Sequence, residues 1–267
     1  MVIELRDYQV NGVNKALSVK NSLICMQVGK GKTAVSLFAL RKLIKDKSIE
    51  KGIVFCTKTS TIPFIKDLQN MAGVTVKVTE KVDDFFDKLN GKDRIIIAKH
   101  AMIEKLGLDF DNQLAFKRYC ENHNIMCIID EAHKLQNPTS SGHSGFDNIR
   151  DYFKRIILLT ATPYSSCISQ IYGLVSLIYP KLWRSKTQFM ELYTDELVIR
   201  DKHRRVLRKE IKAFKNLADL REKLEPFTYF YFPPIKLNYY TYTTKLKDYT
   251  EYDNLCMGLL EDEDSEA

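Results

Sequence analysis

Six short apolar runs recur along the first two thirds of the chain: Ser22–Val28, Gly52–Thr57, Val74–Thr79, Arg94–Lys99, Ile125–Asp130 and Arg155–Thr162. Segments of helical spacing separate them. Their hydrophobicity is continuous rather than alternating, which is what strands covered on both faces require. The chain is thereby constrained to an α/β fold, a mainly parallel sheet wound with helices. This pattern holds to about residue 180. Beyond Pro180, charged segments such as Phe189–Leu197 and Val206–Leu224 carry helical spacing and read as a helical C-terminal extension. The stretch Pro226–Pro234 returns to strand-like chemistry, and its prolines place it at an edge or in a connection. Alternation resumes in Ile235–Thr243, a helix-like stretch follows over Lys245–Leu260, and the acidic end Glu261–Ala267 is too poor in apolar residues to pack. The expected organisation is a lobe over residues 1–180, a helical extension over 181–260 and a disordered acidic tail over 261–267.

No apolar stretch approaches the roughly 20 residues that cross a bilayer, and the N-terminus lacks the charge and apolar order of a signal peptide. The expectation is a cytoplasmic chain, in a bacterial cell or an infected host, neither secreted nor membrane-bound. Six cysteines are scattered without metal-ligand spacing and read as reduced core residues rather than zinc ligands. A net charge of +7 raises a polyanion, nucleic acid above all, as a partner. Eight basic residues between Arg200 and Lys215 do not share one helical face, so they read as a solvated surface.

The segment Gln27-Val-Gly-Lys-Gly-Lys-Thr33 lies between the first apolar run and the helix-like Ala34–Leu40. Gly29 and Gly31, without Cβ atoms, let the backbone curl around an anion and aim successive N–H groups at it. With Lys30 they form the cradle, and the following helix adds the positive end of its dipole. Lys32 would reach the terminal phosphates of a nucleotide such as ATP, and Thr33 would ligate Mg2+. The pattern usually opens with a small residue, and here Met26 holds that place.

A second strand ends in Asp130-Glu-Ala-His133. Where the backbone turns at a strand end, both carboxylates can address one metal–phosphate centre. Asp130 would hold the magnesium, Glu131 would orient or deprotonate the attacking water, and His133 stands beside them. That division suits hydrolysis of a phosphate anhydride, in which positioning and charge neutralisation contribute most of the catalysis. A third strand ends in Thr160-Ala-Thr162-Pro163, whose hydroxyls can bond the carboxylates or His133 and so couple nucleotide state to neighbouring structure.

With these three strand ends in this order, the chain resembles the Swi/Snf-type branch of the superfamily 2 helicases and translocases, from about Leu5 to Tyr252. The resemblance implies the N-terminal RecA-like lobe of a P-loop NTPase with a DEAH-type acidic motif. It implies a DNA-dependent ATPase that translocates on or remodels duplex DNA. Leu5-Arg-Asp-Tyr-Gln9 is similar to the family's adenine-reading segment, with Gln9 on the base. Val54–Ser60 and Ile95–His100 fall where the family contacts one DNA strand, which makes Thr57, Lys58, Thr59, Lys99 and His100 candidate backbone contacts. Gln136 and Ala161 stand where the family often has lysine and glycine. Leu224–Pro234 lacks the arginines of the usual linker.

In that family a second RecA-like lobe closes over ATP and supplies arginine fingers. No arginine pattern downstream of Thr162 matches them, so this chain is expected to need that lobe, in cis or from a partner in trans, and to hydrolyse ATP weakly alone. The alternative is a nucleotide-switched nucleic-acid or protein-binding module without useful turnover. A small-molecule kinase would need a second-substrate pocket and a lid instead of the Asp-Glu-Ala-His and Thr-Ala-Thr elements.

Overall fold

The computed structural model describes residues 4–72, 76, 78–164, 167–200 and 206–234. Residues up to Phe232 form one compact unit; Pro233–Ala267 form a second, of which Pro233 and Pro234 are described. The readings of Ile235–Thr243, Lys245–Leu260 and the acidic tail lie outside the described residues, as do Ser165, Ser166, Lys202, Arg204 and Arg205.

Seven strands, all parallel, form the main sheet: β1 (Asn21–Met26), β2 (Lys51–Cys56), β3 (Val78–Thr79), β4 (Ile95–Lys99), β5 (Ile125–Ile129), β6 (Arg155–Thr160) and β9 (Thr228–Tyr231), in the order β3-β4-β2-β5-β6-β1-β9. The continuous apolar runs have the predicted cause. Odd and even strand positions feed two separate cores. Ile24, Met26, Val54, Ile128 and Ile157 pack under α1 (Asp7–Ser18), α2 (Lys32–Lys45) and α3 (Thr61–Ala72). Leu23, Phe55, Ile96, Ile129 and Leu158 pack against α4 (Val82–Asn90), α5 (Ala101–Leu108), α6 (Phe110–Asn122), α7 (Ser141–Ile149), α8 (Ser169–Ile178), α9 (Lys186–Tyr193) and α10 (Leu217–Leu224). Burying both faces leaves no polar side for a strand to alternate toward. Helix starts follow their capping residues: Asp109, Ser140 and Ser185 each accept a backbone N–H of the first turn that follows.

The helical reading beyond Pro180 is corrected in part. Within Phe189–Leu197 the helix α9 ends at Tyr193, and within Val206–Leu224 only α10 is helical. Between them β7 (Thr194–Arg200) and β8 (Val206–Phe214) pair as an antiparallel ribbon, with Leu197 opposite Glu210 and Glu196 opposite Ile211. The β-branched residues Thr194, Val198 and Ile199 favour extended backbone. The charge spacing that resembles a helix comes from apolar and charged residues facing one another across the ribbon. Asp195 and Lys215 close its open end with a 2.8 Å ion pair.

Pro226–Pro234 behaves as expected of an edge. β9 docks on β1 with Leu23 opposite Thr228 and Met26 opposite Tyr231, and Gln27 N–H donates to the Tyr231 carbonyl at 3.1 Å. Tyr231 stacks on Tyr8 with ring centroids 4.1 Å apart, and the Tyr229 hydroxyl donates to the Tyr8 carbonyl at 2.6 Å. This edge strand therefore braces both β1, which feeds the glycine loop, and the start of α1, which carries Gln9. On the opposite face α5 and α7 cross so closely that a Cβ on Gly107 would meet the Gly145 carbonyl oxygen at 1.9 Å.

Candidate functional site

The predicted site residues gather at one edge of the sheet because every strand of it runs the same way. In an open parallel sheet, ligands bind beyond the carboxyl ends of the strands. Here those ends deliver Gln27–Gly31 after β1, Thr57–Ser60 after β2, Lys99 and His100 at β4, Asp130 and Glu131 after β5, and Thr160–Thr162 at β6.

The loop after β1 has the backbone a phosphate cradle needs. Gly29 and Gly31 lie at φ 76° and 81°, in the left-handed region, and Gly31 directly precedes α2. Met26, the departure from the usual opening residue, is fully buried as the last residue of β1. Gln9 is tied to the cradle: its Nε2 donates to the Lys30 carbonyl at 3.2 Å, while its Oε1 accepts Arg6 N–H at 2.9 Å. Each end of that amide keeps one further hydrogen-bonding capacity, so it can still meet a base edge. Lys32 is 9% exposed, and its ammonium makes no hydrogen bond or ion pair among the described residues. A buried cation in that state calls for an anion, and terminal phosphates fit. Thr33, in the first turn of α2, has a hydroxyl likewise uncommitted among the described residues, as a magnesium ligand would be.

Two strands away stands the acidic turn. Asp130 is buried, and its N–H donates to the Phe55 carbonyl at 2.9 Å. Desolvation raises its carboxyl above the usual range, with neighbouring Glu131 adding to the rise, while the Ser60 hydroxyl and Lys32 pull it down. A carboxylate destabilised by burial is one a divalent cation would neutralise. Glu131 adopts φ 49°, ψ 47°, a left-handed conformation that costs a non-glycine residue about 1–2 kcal/mol. That turn breaks strand alternation, which would otherwise send the two side chains to opposite faces. The Glu131 carboxyl is held below its usual range, first by a hydrogen bond from His133 and then by the charge of Lys32. Both carboxylates thus feel the same lysine.

His133 joins the second and third elements. Its Nδ1 lies 3.2 Å from Glu131 Oε2 and 3.4 Å from Thr160 Oγ1, and Thr160 in turn accepts Thr162 N–H at 3.0 Å. Of the two hydroxyl residues, Thr160 thus reaches His133 directly, whereas Thr162 meets Thr160 through its backbone N–H. Val28, Glu131, His133, Ala161 and Thr162 line a polar cleft of about 520 Å³ together with Thr57, Lys58, Thr59 and Lys134.

A basic cleft of about 380 Å³ adjoins it. Thr57, Lys58, Lys99 and His100 line this cleft with Lys134 and the start of α7 at Ser140–Gly142. Thr59 opens onto the first cleft only. Lys99 and His100 are already engaged: Lys99 pairs with Glu80 at 2.6 Å, and His100 Nε2–H donates to the Asp130 carbonyl at 2.7 Å. Burial, above all, holds the His100 pKa below its ordinary value. A larger cavity, about 790 Å³, is an apolar cleft between α10 and β9 that meets the site only at Ala161 and Thr162. It lacks a carboxylate pair and a phosphate cradle, so volume does not locate the chemistry here.

Sequence reasoning missed Ser60 and Lys134. Ser60 sits within the hydroxyl run Thr57–Thr61 and Lys134 directly follows His133, which was the available signal. Among the described residues no group of three or more His, Cys, Asp or Glu could hold a metal alone, and the five described cysteines are free thiols. A magnesium held by Thr33 and Asp130 would depend on phosphate oxygens and water for its other ligands. No described helix is long and apolar enough to cross a membrane.

The family described as "Type III restriction enzyme, res subunit" matches residues 2–165. Over 201 residues the chain is 27% identical to "ATP-dependent helicase FUN30" of Saccharomyces cerevisiae, which takes in 70% of this chain and 17% of that protein. Over 100 residues it is 33% identical to "Uncharacterized ATP-dependent helicase YqhH" of Bacillus subtilis, 37% of this chain and 15% of that one. The structure of the Sulfolobus solfataricus SWI2/SNF2 ATPase core in complex with dsDNA superposes with a TM-score of 0.61 at 18% identity, covering 85% of this chain and 44% of that chain. The chain thus spans less than a fifth of these curated relatives, and the structural likeness shows the fold.

Proposed function

Because the chain belongs to the family described as the type III restriction enzyme res subunit, and has the fold of the N-terminal RecA-like lobe of Swi/Snf-type superfamily 2 proteins, we propose that it is the ATP-binding lobe of a DNA-dependent ATPase. Its hydrolysis of ATP is coupled to translocation on duplex DNA or to remodelling of it. The observation that carries this reading is Lys32: a buried ammonium without a partner among the described residues, at the mouth of a left-handed glycine turn, whose charge reaches both Asp130 and Glu131.

The N–H groups from Gly29 through Lys32 and the Lys32 ammonium bind the phosphates, and Gln9 reads the adenine. Thr33 and Asp130 would hold Mg2+, which would neutralise charge on the phosphate oxygens. Glu131, kept ionised by His133 and Lys32, orients the attacking water and accepts its proton. His133, Thr160 and Thr162 connect that carboxylate to the end of β6. Thr57, Lys58, Thr59, Lys99 and His100, with Lys134, face the backbone of one DNA strand, where hydroxyls and ammonium groups position without reading bases.

The polar cleft is lined by no arginine among the described residues. A second RecA-like lobe, in cis or from a partner, would supply one, and an arginine delivered in this way is worth about 10³–10⁵ in turnover. ATP hydrolysis with and without duplex DNA tests the proposal in the chain and in Glu131→Gln. DNA-stimulated turnover that the variant loses supports the motor. Intact Mg-ATP binding with no turnover under either condition favours the second reading, a nucleotide-switched binding module.

A further inference from the structure

The two clefts share Thr57, Lys58 and Lys134, and His100 in the wall of the basic cleft is bonded to Asp130. After β2 the chain makes a closed ring of hydroxyl contacts: Thr57 N–H donates to Ser60 Oγ at 3.1 Å, Ser60 N–H donates to Thr57 Oγ1 at 3.2 Å, and the two hydroxyls lie 2.9 Å apart. Thr61 Oγ1 adds a bond to the Thr57 carbonyl at 2.8 Å. The ring fixes where the Ser60 hydroxyl points, and that hydroxyl stands close enough to the Asp130 carboxylate to favour its ionised form. From the other side, His100 reaches the Asp130 carbonyl at 2.7 Å. Asp130 N–H is meanwhile held by Phe55, one strand over. Thr57 lines both clefts, whereas His100 lines the basic one.

From this juxtaposition we propose that Ser60 and His100 are positioning residues that link occupancy of the basic cleft to the placement of Asp130, an inference that rests on the ATP-binding reading above. A phosphate bound at Thr57 and Lys58 draws on the same hydroxyl ring that orients Ser60. A strand seated against His100 presses on the ring that holds the Asp130 carbonyl. Either contact changes how well Asp130 meets a nucleotide-bound cation, without touching the nucleotide itself. Such a linkage is reciprocal: whatever factor DNA applies to nucleotide affinity, nucleotide applies to DNA affinity.

The linkage is measured as the ratio of dissociation constants for a fluorescent ATP analogue with Mg2+, without and with a saturating duplex oligonucleotide. The whole chain is used, so no turnover is needed. For the unmodified chain the ratio should lie between about 5 and 150. Ser60→Ala and His100→Leu should each bring it close to 1. Ser60→Thr, which keeps the hydroxyl, and His100→Gln, whose Nε2 can replace the ring donor, should retain most of it. A merely structural role would not divide the variants in this way. The inference is overturned if Ser60→Ala and His100→Leu keep the full ratio, or if the conservative variants lose as much as the disruptive ones. An unmodified chain that binds both ligands with a ratio of 1 overturns it while the ATPase reading stands; one that binds no Mg-nucleotide overturns both.

Discussion

Replacing Gly31 by alanine places a methyl group where Gln9 now stands, since a Cβ there would lie 2.3 Å from Gln9 Nε2. Two costs follow. The backbone at φ 81°, ψ 38° is left-handed, which disfavours alanine by about 1–2 kcal/mol. The Gln9 amide must also swing away and give up its bond to the Lys30 carbonyl, a loss of roughly 0.5–1.5 kcal/mol. Gly29 is the internal control: it too is left-handed, at φ 76°, but nothing lies within 4 Å of its Cβ position. Gly29→Ala should therefore carry the backbone cost alone. At roughly 2–4 °C of melting temperature per kcal/mol in a chain of this size, Gly31→Ala should melt about 1–6 °C below Gly29→Ala. The assay is calorimetric melting of the nucleotide-free chain, repeated in a Gln9→Ala background to close a double-mutant cycle. With no amide to displace, the gap between the two glycine variants should close. A gap that is absent in the first background, or undiminished in the second, refutes the proposed contact between Gln9 and the glycine turn.

Other expectations follow from the same structure. Gly107→Ala drives a methyl group into the Gly145 carbonyl, a backbone atom that cannot rotate away, so the helix pair α5–α7 must separate; a stability loss of about 3 kcal/mol or more is expected in urea unfolding. His100 and His143 are both held below 6.5, mainly by burial, so the unfolded chain binds more protons than the folded one as pH drops past that value. Stability should accordingly rise with pH through the window just below 6.5, and the urea midpoint should be lower at pH 5.5 than at pH 7.5; equal midpoints would contradict the burial argument. Lys58→Ala and Lys134→Ala should each weaken duplex DNA binding about equally for all sequences and reduce the salt slope by about 1. Lys99→Ala should matter less, because Glu80 already neutralises that ammonium.

What the sequence made legible, and what it did not, follows from the range over which each signal acts. The strands were visible because burial on both faces writes itself into consecutive residues: Ile125–Ile129 is buried at every position. The glycine turn was visible because only glycine readily accepts the left-handed backbone at residues 29 and 31. The ribbon β7–β8 was not, because its charge pattern is set across strands rather than along one. Nor could the sequence show that Glu131 is left-handed, since glutamate has no special tolerance for that conformation and the turn is imposed by its surroundings. His100 read as a phosphate contact, and its bond to Asp130, thirty residues away, depends on β4 and β5 flanking β2. Ser60 was hidden for the same reason.

The most direct test of the central claim is titration of the chain with ATP and Mg2+ by calorimetry, beside Lys32→Ala. Binding is predicted for the unmodified chain. Removing one charge-assisted contact worth about 1.5–3 kcal/mol should weaken it about 10- to 150-fold in the variant. An unmodified chain that takes up no Mg-ATP, or a Lys32→Ala variant that binds it as well, would contradict the assignment of Gly29–Thr33 as a nucleotide cradle.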